Sequence, residues 1–388
     1  MTLVVDIHAL QTVPPSLINR DDTGAPKSAI FGGVPRQRVS SQSWKRAIRR
    51  YFEESIDKST VGLRSRELPE VIAEKVLDQA PDLTIEEATD GVRKLFKATG
   101  KDGIKLVEPA KPKKSAKNEA PAEDAGHKFP TTAALLFLSP HQISRAAEAI
   151  ATKLQSDEPV KFTKAEAAEL LDTRHSIDMA MFGRMLADAP AFNVDASVQV
   201  AHALSVHESQ PEFDYYTAVD DVVEDAEETG AGMIGTTQMM SSTLYRFATL
   251  NVEALATNLD DSDLAREVAG MFLTAFIESM PTGKQNSFAN NTLPELVYVA
   301  VRDTRSVSLV NAFEQPISTE AGNRGSVAAD ALAREERDLE EVYGMKPLAG
   351  FVISLRDIGA AFEGIAETVT KQELVEKVAA VLAAQGAE

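Results

Sequence analysis

The chain has 388 residues, 44% of them hydrophobic, and contains no cysteine. This excludes thiol nucleophiles, disulfides, iron–sulfur clusters and thiolate zinc sites, and the length fits two or three structural units. With 40 basic and 59 acidic side chains the net charge is −19, an average that argues against a nucleic-acid partner because phosphates would be repelled. The longest apolar runs fall far short of the ~20 residues that span a bilayer, and Asp6 interrupts the N-terminal run. We therefore expect a soluble, cytoplasmic protein with no membrane partner.

The charge is unevenly distributed along the sequence. Six basic side chains and no acidic one lie between Arg36 and Arg50, whereas nine acidic side chains and no Lys or Arg lie between Glu208 and Glu228. A local basic stripe can hold a polyanion while the remaining surface stays acidic.

The N-terminal part predicts a strand, a loop and a helix. Leu3, Val5 and Ile7 alternate with their neighbours, which is typical of a half-buried strand. Residues 11–33 are rich in Pro, Gly, Asn and Asp and predict a long ordered loop. Ser40 or Ser41 can cap the next helix, because a serine hydroxyl accepts from the free amides of the first turn.

Apolar side chains recur along that helix at three- and four-residue spacing and predict a buried face: Trp44, Ile48, Tyr51 and Phe52. Polar and basic side chains then point the other way: Gln42, Lys45, Arg46 and Arg49. Together with Arg20 and Lys27 of the preceding loop, and with Ser40 and Ser41, they supply the hydroxyl, amide and cationic groups that phosphate and ribose oxygens require. The alternative is an ordinary basic helix face exposed to solvent. Because no acidic side chain lies within this run to pair with the basic ones, polyanion binding is favoured.

Downstream, residues 69–99 predict weakly patterned helices, and residues 111–126 hold no large apolar side chain, which predicts a disordered insert. Further strands are expected at 133–138, 198–206, 242–252, 296–301 and 348–355, and further helices at 140–155, 263–280 and 358–384. The apolar run 177–186 fits a strand or a buried helix. This order predicts an α+β sandwich with helices on one face of a mainly antiparallel sheet.

The strands at 198–206 and 242–252 flank an acidic, turn-rich excursion, which predicts a protruding hairpin. It carries adjacent aromatic side chains at Tyr215 and Tyr216, next to Thr217. Such rings can stack on bases regardless of sequence. Alternatively, one ring packs at the root of the arm while the other is merely exposed.

Several catalytic motifs are absent or lack their context. The G-x-G-x-x-G pattern at 230–235 follows an acidic run and opens no helix, so it predicts a loop and not a dinucleotide site. The histidines lack metal-ligand spacing, and Gly283 and Lys284 lack the rest of a phosphate loop. Asp21 and Asp22 form the one carboxylate pair in a glycine- and proline-rich loop that could hold a divalent metal, although such pairs more often bond to backbone amides. No resident metal or cofactor is expected.

Two blocks of sequence resemble a known family. Residues 10–50 read LQTVPPSLINRDDTGAPKSAIFGGVPRQRVSSQSWKRAIRR, and DYYTAVDD at 214–221 is followed by GAGMIGTTQMMSSTLYRFATLNVEAL at 230–255. Both resemble the CasC family, which supplies the backbone subunit of the type I-E CRISPR Cascade complex. Residues 111–126 and 322–341 take no part in the resemblance.

The resemblance implies a modified RNA-recognition-type, ferredoxin-like (RRM-like) palm at 1–54, 129–200 and 242–388, a helical fingers insertion at 55–128 and a thumb hairpin at 201–241. It further implies that side chains matching the family's RNA contacts bind the guide backbone: Arg20, Lys27, Ser40, Gln42, Lys45, Arg46 and Arg49. Tyr215, Tyr216 and Thr217 fall at the thumb tip that displaces a guide nucleotide, and Met185 matches a second wedge.

The implied function is that of a non-enzymatic scaffold. Copies would assemble head to tail along a CRISPR guide RNA and present it to target DNA, together with the large, small, guide-cap and guide-processing subunits, while a recruited helicase-nuclease cuts separately. Acids at 224–228 would face a basic patch on the next copy. The alternative is a metal-dependent endoribonuclease that uses Asp21 or Asp22.

Overall fold

The computed structural model describes residues 3–109, 129–218, 233–318 and 323–385. In this part of the chain the strands are β1 (Val4–Ser16), β2 (Ser28–Phe31), β3 (Val34–Val39), β4 (Leu63–Ser65), β5 (Leu106–Val107), β6 (Thr131–Thr132), β7 (Leu136–Leu138), β8 (Val198–Val200), β9 (Ala203–Ser205), β10 (Glu212–Ala218), β11 (Met233–Asn251), β12 (Leu296–Arg302), β13 (Ala349–Ser354) and β14 (Glu367–Thr368). The helices are α1 (Ser41–Ser55), α2 (Leu68–Gln79), α3 (Ile85–Ala98), α4 (Pro140–Leu154), α5 (Lys164–Leu171), α6 (Ile177–Phe182), α7 (Val252–Leu259), α8 (Ser262–Glu278), α9 (Gln285–Phe288), α10 (Arg324–Tyr343) and α11 (Lys371–Gln385).

The chain divides into two compact units. A sheet unit comprises Met1–Tyr51, Val198–Glu253 and Ala265–Glu388, and a helical unit comprises Phe52–Ser197 and Ala254–Leu264. The two units are distinguished by their compactness, which does not separate a palm from fingers or a thumb. The boundaries given above for those three parts therefore stay a prediction. The insert at 111–126 and the acids at 224–228 lie outside the described residues.

One large sheet organises the sheet unit. Its described strands run in the order β14-β13-β12-β1-β11-β9-β3-β2, with β8 and β10 also paired to β11. The two longest strands, β1 and β11, pair antiparallel from Val4 opposite Asn251 to Val13 opposite Ser242. Of the described pairs in this sheet, β13 with β14 is parallel and the others are antiparallel. The predicted α+β class and the mainly antiparallel sheet are confirmed.

Helices cover both faces of this sheet, and the expectation of helices on one face is wrong. Leu10 and Tyr245 pack in one cluster with Leu332 of α10. Their neighbours on the opposite face, Val13 and Leu244, pack in a second cluster with Trp44 of α1. Because successive side chains of a strand point to opposite faces, the two clusters lie on opposite sides of the sheet. Strand β1 is therefore buried on both faces and not half-buried as its alternation indicated.

A buried ion-pair network ties β1, β12 and α10 together. Arg302 on β12 donates from Nε to Asp6 Oδ2 (3.2 Å) and from Nη2 to Glu336 Oε1 (2.7 Å). Burial raises the pKa of both carboxyl groups, and the guanidinium between them opposes that shift. Losing Arg302 would leave two buried carboxyl groups without their cation, so this network fixes α10 on the sheet.

Two predicted segments differ from the structure, and a third, which the sequence leaves open between a strand and a buried helix, contains a helix. The loop expected at 11–33 is shorter, because β1 continues to Ser16 and β2 begins at Ser28. The helix expected at 358–384 begins only at Lys371, after Gly364 adopts a φ of +81° and β14 adds to the sheet. The ambiguous run 177–186 forms α6, which ends where Gly183 adopts a φ of +76°.

The helical unit packs α2, α3, α4 and α5 around an apolar core that includes Ile72, Leu95 and Ile150. Three of its helices begin with reciprocal caps. The side-chain oxygens of Thr84, Ser139 and Thr163 each accept from the backbone amide of the residue three positions later. The side chain of that later residue accepts in turn from the backbone amide of the capping residue. This satisfies otherwise free amides at the helix starts. No helix in the described part of the chain is long and apolar enough to cross a membrane.

Candidate nucleic-acid interface

The basic helix α1 is held on the sheet by a stacked arginine. Trp44, on the buried face of α1, lies 3.8 Å from the guanidinium of Arg246 on β11, and Phe276 of α8 lies 4.4 Å from the same group. Arg246 also donates to Gln11 Oε1 (2.6 Å) and to the carbonyl of Phe276. Burial lowers the pKa of Arg246 to about 9, so the group stays charged at neutral pH and keeps its cation–π contacts.

The preceding loop is fastened to the start of α1 by Asn19. Its Oδ1 accepts from the amide of Ser40 (2.8 Å), and its Nδ2 donates to Ser43 Oγ (3.0 Å). Ser40 caps the helix, since its Oγ accepts from the amide of Gln42 (3.3 Å). The backbone of Lys27 donates to the carbonyl of Asn19 (3.0 Å). The predicted site residues Lys27, Ser40 and Gln42 therefore come together at the start of α1.

A cavity of about 640 Å³, here called the basic groove, lies beside this helix. One face of α1 lines it with Ser43, Arg46, Ala47 and Arg50, the i, i+3, i+4, i+7 set expected from 3.6 residues per turn. The remaining lining comes from two loops: Ile18, Asn19, Arg20, Asp21, Asp22 and Gly24, and Pro281, Thr282, Gly283 and Lys284. Among the predicted residues, Arg20 and Arg46 line the groove. Gln42, Lys45 and Arg49 lie on the helix but not on this face, and partial burial lowers the pKa of Lys45.

Four basic side chains line the groove: Arg20, Arg46, Arg50 and Lys284. No carboxylate among the described residues lies within ion-pair distance of any of them. Asp21 and Asp22 share the lining and offset part of the charge. Like charges that crowd one cavity without partners suit an anionic ligand that supplies the missing counter-charge.

Lys284 is held in the groove by a constrained backbone. Its φ of +48° is left-handed, which costs a non-glycine residue about 1 kcal/mol or more. Gly283 before it lies so close to the carbonyls of Leu17 and Ile18 that a Cβ would clash with them. Lys284 Nζ donates to Thr237 Oγ1 on β11 (3.3 Å). The loop therefore places one ammonium group both in the groove and at the base of the β10–β11 pair.

The aromatic pair lies on β10, which is antiparallel to β11. Tyr215 is opposite Thr236 and Tyr216 is opposite Gly235, so the two rings project from opposite faces. Tyr215 is 62% exposed and Tyr216 42% exposed, with the ring of Tyr216 lying over Gly235. Neither ring is buried in a core, and Thr217 beside them is also exposed. Tyr216 shares its face with Thr237, the residue that Lys284 contacts.

Met185, the predicted second wedge, lies in the helical unit and is 83% exposed. Its neighbours are firmly anchored. Arg184 is buried and donates to the carbonyls of Phe192 (2.7 Å) and Phe137 (3.1 Å), and the amide of Leu186 donates to Asn193 Oδ1 (2.7 Å). Met185 is therefore an exposed apolar side chain between two anchored residues.

Comparison with known proteins identifies the family. The family model described as CT1975-like protein matches residues 5–379, which is nearly the whole chain. The chain belongs to the CT1975-like protein family. The resemblance noted for residues 10–50 and 214–255 is thereby confirmed.

Two solved structures resemble this family member along its whole length. A chain of a structure titled "CRISPR RNA-guided surveillance complex, pre-nicking" has 33% sequence identity and a TM-score of 0.80, covering 98% of this chain and 100% of that one. A chain of a "CRISPR RNA-guided surveillance complex" has 29% identity and a TM-score of 0.69, covering 97% and 99% respectively. A comparison with curated proteins found no significant match.

In this CT1975-like protein the first carboxylate of the Asp21–Asp22 pair bonds to its own loop. Asp21 Oδ1 accepts from the amide of Thr23 (2.8 Å), the hydroxyl of Thr23 (2.7 Å) and the amide of Ala25 (3.0 Å). These bonds, the Thr23 hydroxyl first, lower the pKa of Asp21. In the described ranges no group of three or more His, Asp or Glu side chains is arranged to hold a metal ion. The geometry of Asp21 is that of a turn-closing residue.

Three further positions can be compared with the sequence, which gives too little signal at two of them. Gly235 lies inside β11 and opens no helix, so the rejection of the dinucleotide pattern is confirmed for its described half, whereas the loop predicted there is wrong because residues 233–235 belong to the strand. Arg50 belongs to the basic run and follows Arg46 by four residues on the same face, but only the structure places it in the groove. Lys284 and its glycine form only an incomplete phosphate-loop motif, and nothing in the local sequence links Lys284 to residues 20 and 46.

Proposed function

We propose that this protein binds a CRISPR guide RNA along its sugar–phosphate backbone and acts as a repeated backbone subunit of a Cascade-type surveillance complex. The observation that carries the proposal is the basic groove, with four cationic side chains that lack carboxylate partners in the described structure. Membership of the family and the titles of the two similar structures support it. Cations and backbone donors bind phosphate without reading bases, so sequence reading is left to base pairing with target DNA.

The finer architecture forms part of the same proposal. The sheet around β1 and β11 would act as an RRM-like palm, the β10–β11 pair as the thumb, and helices of the helical unit as fingers. Copies would join head to tail along one guide, so that repeated modest contacts give tight binding through avidity. The other Cascade subunits would bind the same particle in the cytoplasm.

The exposed side chains of the thumb and of Met185 would distort the guide at regular intervals. Tyr215 and Tyr216 present rings on opposite faces of a narrow two-stranded arm, which suits insertion beside a displaced nucleotide. Thr217 would contact the backbone there, and Lys284 would hold a phosphate at the base of the arm. Ser40, Gln42, Lys45 and Arg49 would extend the contacts along α1.

We further propose that the protein is not an enzyme. The hydrogen bonds of Asp21 favour a structural role, and the recruited nuclease would carry out cleavage. The rival, a metal-dependent endoribonuclease that uses Asp21 or Asp22, predicts cuts in RNA at regular spacing in the presence of magnesium.

The test incubates the purified full chain with single-stranded RNAs of unrelated sequence and increasing length, with and without magnesium. The scaffold predicts assemblies whose mass grows stepwise with RNA length, equal affinity for the unrelated sequences, and intact RNA. Asp21→Asn is the matched variant, because its amide oxygen can still accept the bonds from Thr23 and Ala25. Magnesium-dependent cuts that this variant abolishes would establish the enzyme instead, and a mass independent of RNA length would refute the scaffold.

A further inference from the structure

His202 lies beside the start of α1 and takes no part in the function proposed so far. It precedes β9, whose Ala203 and Leu204 pair with Val39 and Arg38 of β3. Its side chain is exposed, and its Nδ1 faces two donors: the amide of Ser41, the first residue of α1, at 3.2 Å, and Nη1 of Arg38 at 3.4 Å. The imidazole therefore accepts a hydrogen bond from the first backbone amide of α1, although His202 lies in a different part of the chain, next to β9.

These contacts fix the tautomer of the ring. A backbone amide and a guanidinium can only donate, so Nδ1 must be the unprotonated acceptor and the proton must sit on Nε2. Adding a second proton would turn Nδ1 into a donor that faces two donors. Partial burial and the positive charges of Arg38 and Lys27 lower the pKa of His202, in the same direction. The ring is thus a neutral N–H donor, and no described residue accepts from its Nε2.

The neighbours of this donor are the uncharged site residues. Ser40 and Gln42 occupy the first turn of α1 together with the amide that His202 caps. The groove cations Arg46, Arg50 and Lys284 bind phosphate equally well in RNA and in DNA. The 2′-hydroxyl is the group that distinguishes the two backbones, and a neutral N–H can donate to its oxygen without needing a charge.

We propose that His202 donates from Nε2 to a ribose 2′-hydroxyl and so helps the protein prefer RNA over DNA of the same sequence. This inference rests on the proposed function, because it assumes that a nucleic-acid backbone follows α1. It assigns different roles to the two kinds of side chain: the groove cations set overall affinity, and His202 contributes to the preference for ribose.

The experiment compares two matched oligonucleotides, single-stranded RNA and the all-deoxy strand with deoxyuridine in place of uridine, bound to the full-length chain. Wild type is expected to bind RNA more tightly. His202→Asn keeps an acceptor near the position of Nδ1 but cannot reach the position of Nε2. Its RNA affinity should fall about five-fold, the typical effect of one lost neutral hydrogen bond, with DNA affinity unchanged. His202→Gln, whose amide reaches the Nε2 position, should recover part of the preference.

Parallel losses for RNA and DNA in His202→Asn, or no loss for either, would overturn the inference, because a purely structural cap cannot change the ratio of the two affinities. Arg46→Met separates this inference from the proposed function. A fall in both affinities with Arg46→Met, alongside an unchanged ratio in His202→Asn, rejects the role of His202 alone. No fall in either affinity with Arg46→Met rejects the proposed function.

Discussion

Basic side chains have different surroundings in the helical unit and in the basic groove of the sheet unit. In the helical unit Arg93, Lys94, Arg145, Lys153 and Arg184 lie 2.5–3.0 Å from carboxylates. In the groove, Arg20, Arg46, Arg50 and Lys284 have no such partner among the described residues. Mutual repulsion of the groove cations opposes folding, so such a cluster indicates a surface whose counter-charge comes from a ligand.

The variant with the largest expected effect tests whether the basic groove depends on the packing of α1 against the sheet. Trp44→Ala removes the ring stacked on Arg246 and leaves that guanidinium beside a cavity, so the free energy of unfolding should fall by about 3–5 kcal/mol. Urea unfolding measures the loss, and RNA binding should weaken even at temperatures where the variant is folded.

The matched control for Trp44→Ala is Phe96→Ala in the core of the helical unit. It should lose comparable stability while the folded protein keeps its RNA affinity. Equal RNA affinities of the two variants would mean that RNA binding in the basic groove does not depend on the packing of α1 against the sheet.

The second prediction removes the unpaired charge itself. Arg46→Met combined with Lys284→Met should lower RNA affinity on the order of ten-fold at moderate salt, because two phosphate contacts and their released counterions are lost. The slope of log affinity against log salt should decrease in magnitude by about 1.4, near 0.7 for each contact on a single strand. Fluorescence anisotropy at several salt concentrations measures both.

Arg93→Met is the control for the groove pair, since Arg93 is paired with Glu108 in the helical unit at 2.9 Å. It should change neither the affinity nor the salt slope. If the control weakened binding as much as the groove pair does, the contrast between paired and unpaired cations would carry no functional meaning.

A smaller effect on affinity is expected from the thumb. Tyr215→Ala with Tyr216→Ala should leave the salt-sensitive association within about three-fold, because the groove cations remain, but should abolish the regular distortion of bound guide RNA. Chemical footprinting of the assembled particle measures the period. Tyr343→Ala, which removes a still more exposed ring from the end of α10, should preserve this period. A footprint that keeps its period in the double variant would contradict the wedge role.

The helix that carries the site could be predicted because its signal is local. The spacing of Trp44, Ile48 and Phe52 fixes which face is buried, and all three are buried in the structure. The basic groove could not be predicted in full. Lys284 joins Arg20 and Arg46 only through the packing of Gly283 on the carbonyls of residues 17 and 18, more than 260 residues away along the chain. No periodicity encodes such a contact.

The limits for the fold have the same origin. Alternation in β1 indicated one buried face, but polar Asp6 and His8 are also buried, because Arg302 pairs with Asp6 and aromatic rings surround His8. The helix expected from residue 358 fails at Gly364, where a positive φ turns the chain. His202 gave no motif signal, since its role depends on strand pairing that brings it to the start of α1.

The smallest effect concerns a paired acid in the helical unit, Glu166. Its carboxylate accepts from the amide of Thr163 (2.7 Å) and from Lys153 (3.0 Å), which lowers its pKa from 4.5 to about 2. A lowered pKa in the folded state means that the stabilisation is fully present above pH 4.5 and is lost as the pH falls towards 2. NMR titration of the Glu166 carboxyl carbon measures the shift. Lys153→Met should raise this pKa only part of the way, because the Thr163 amide, the largest cause, remains; a midpoint near 4.5 in wild type would contradict the pairing.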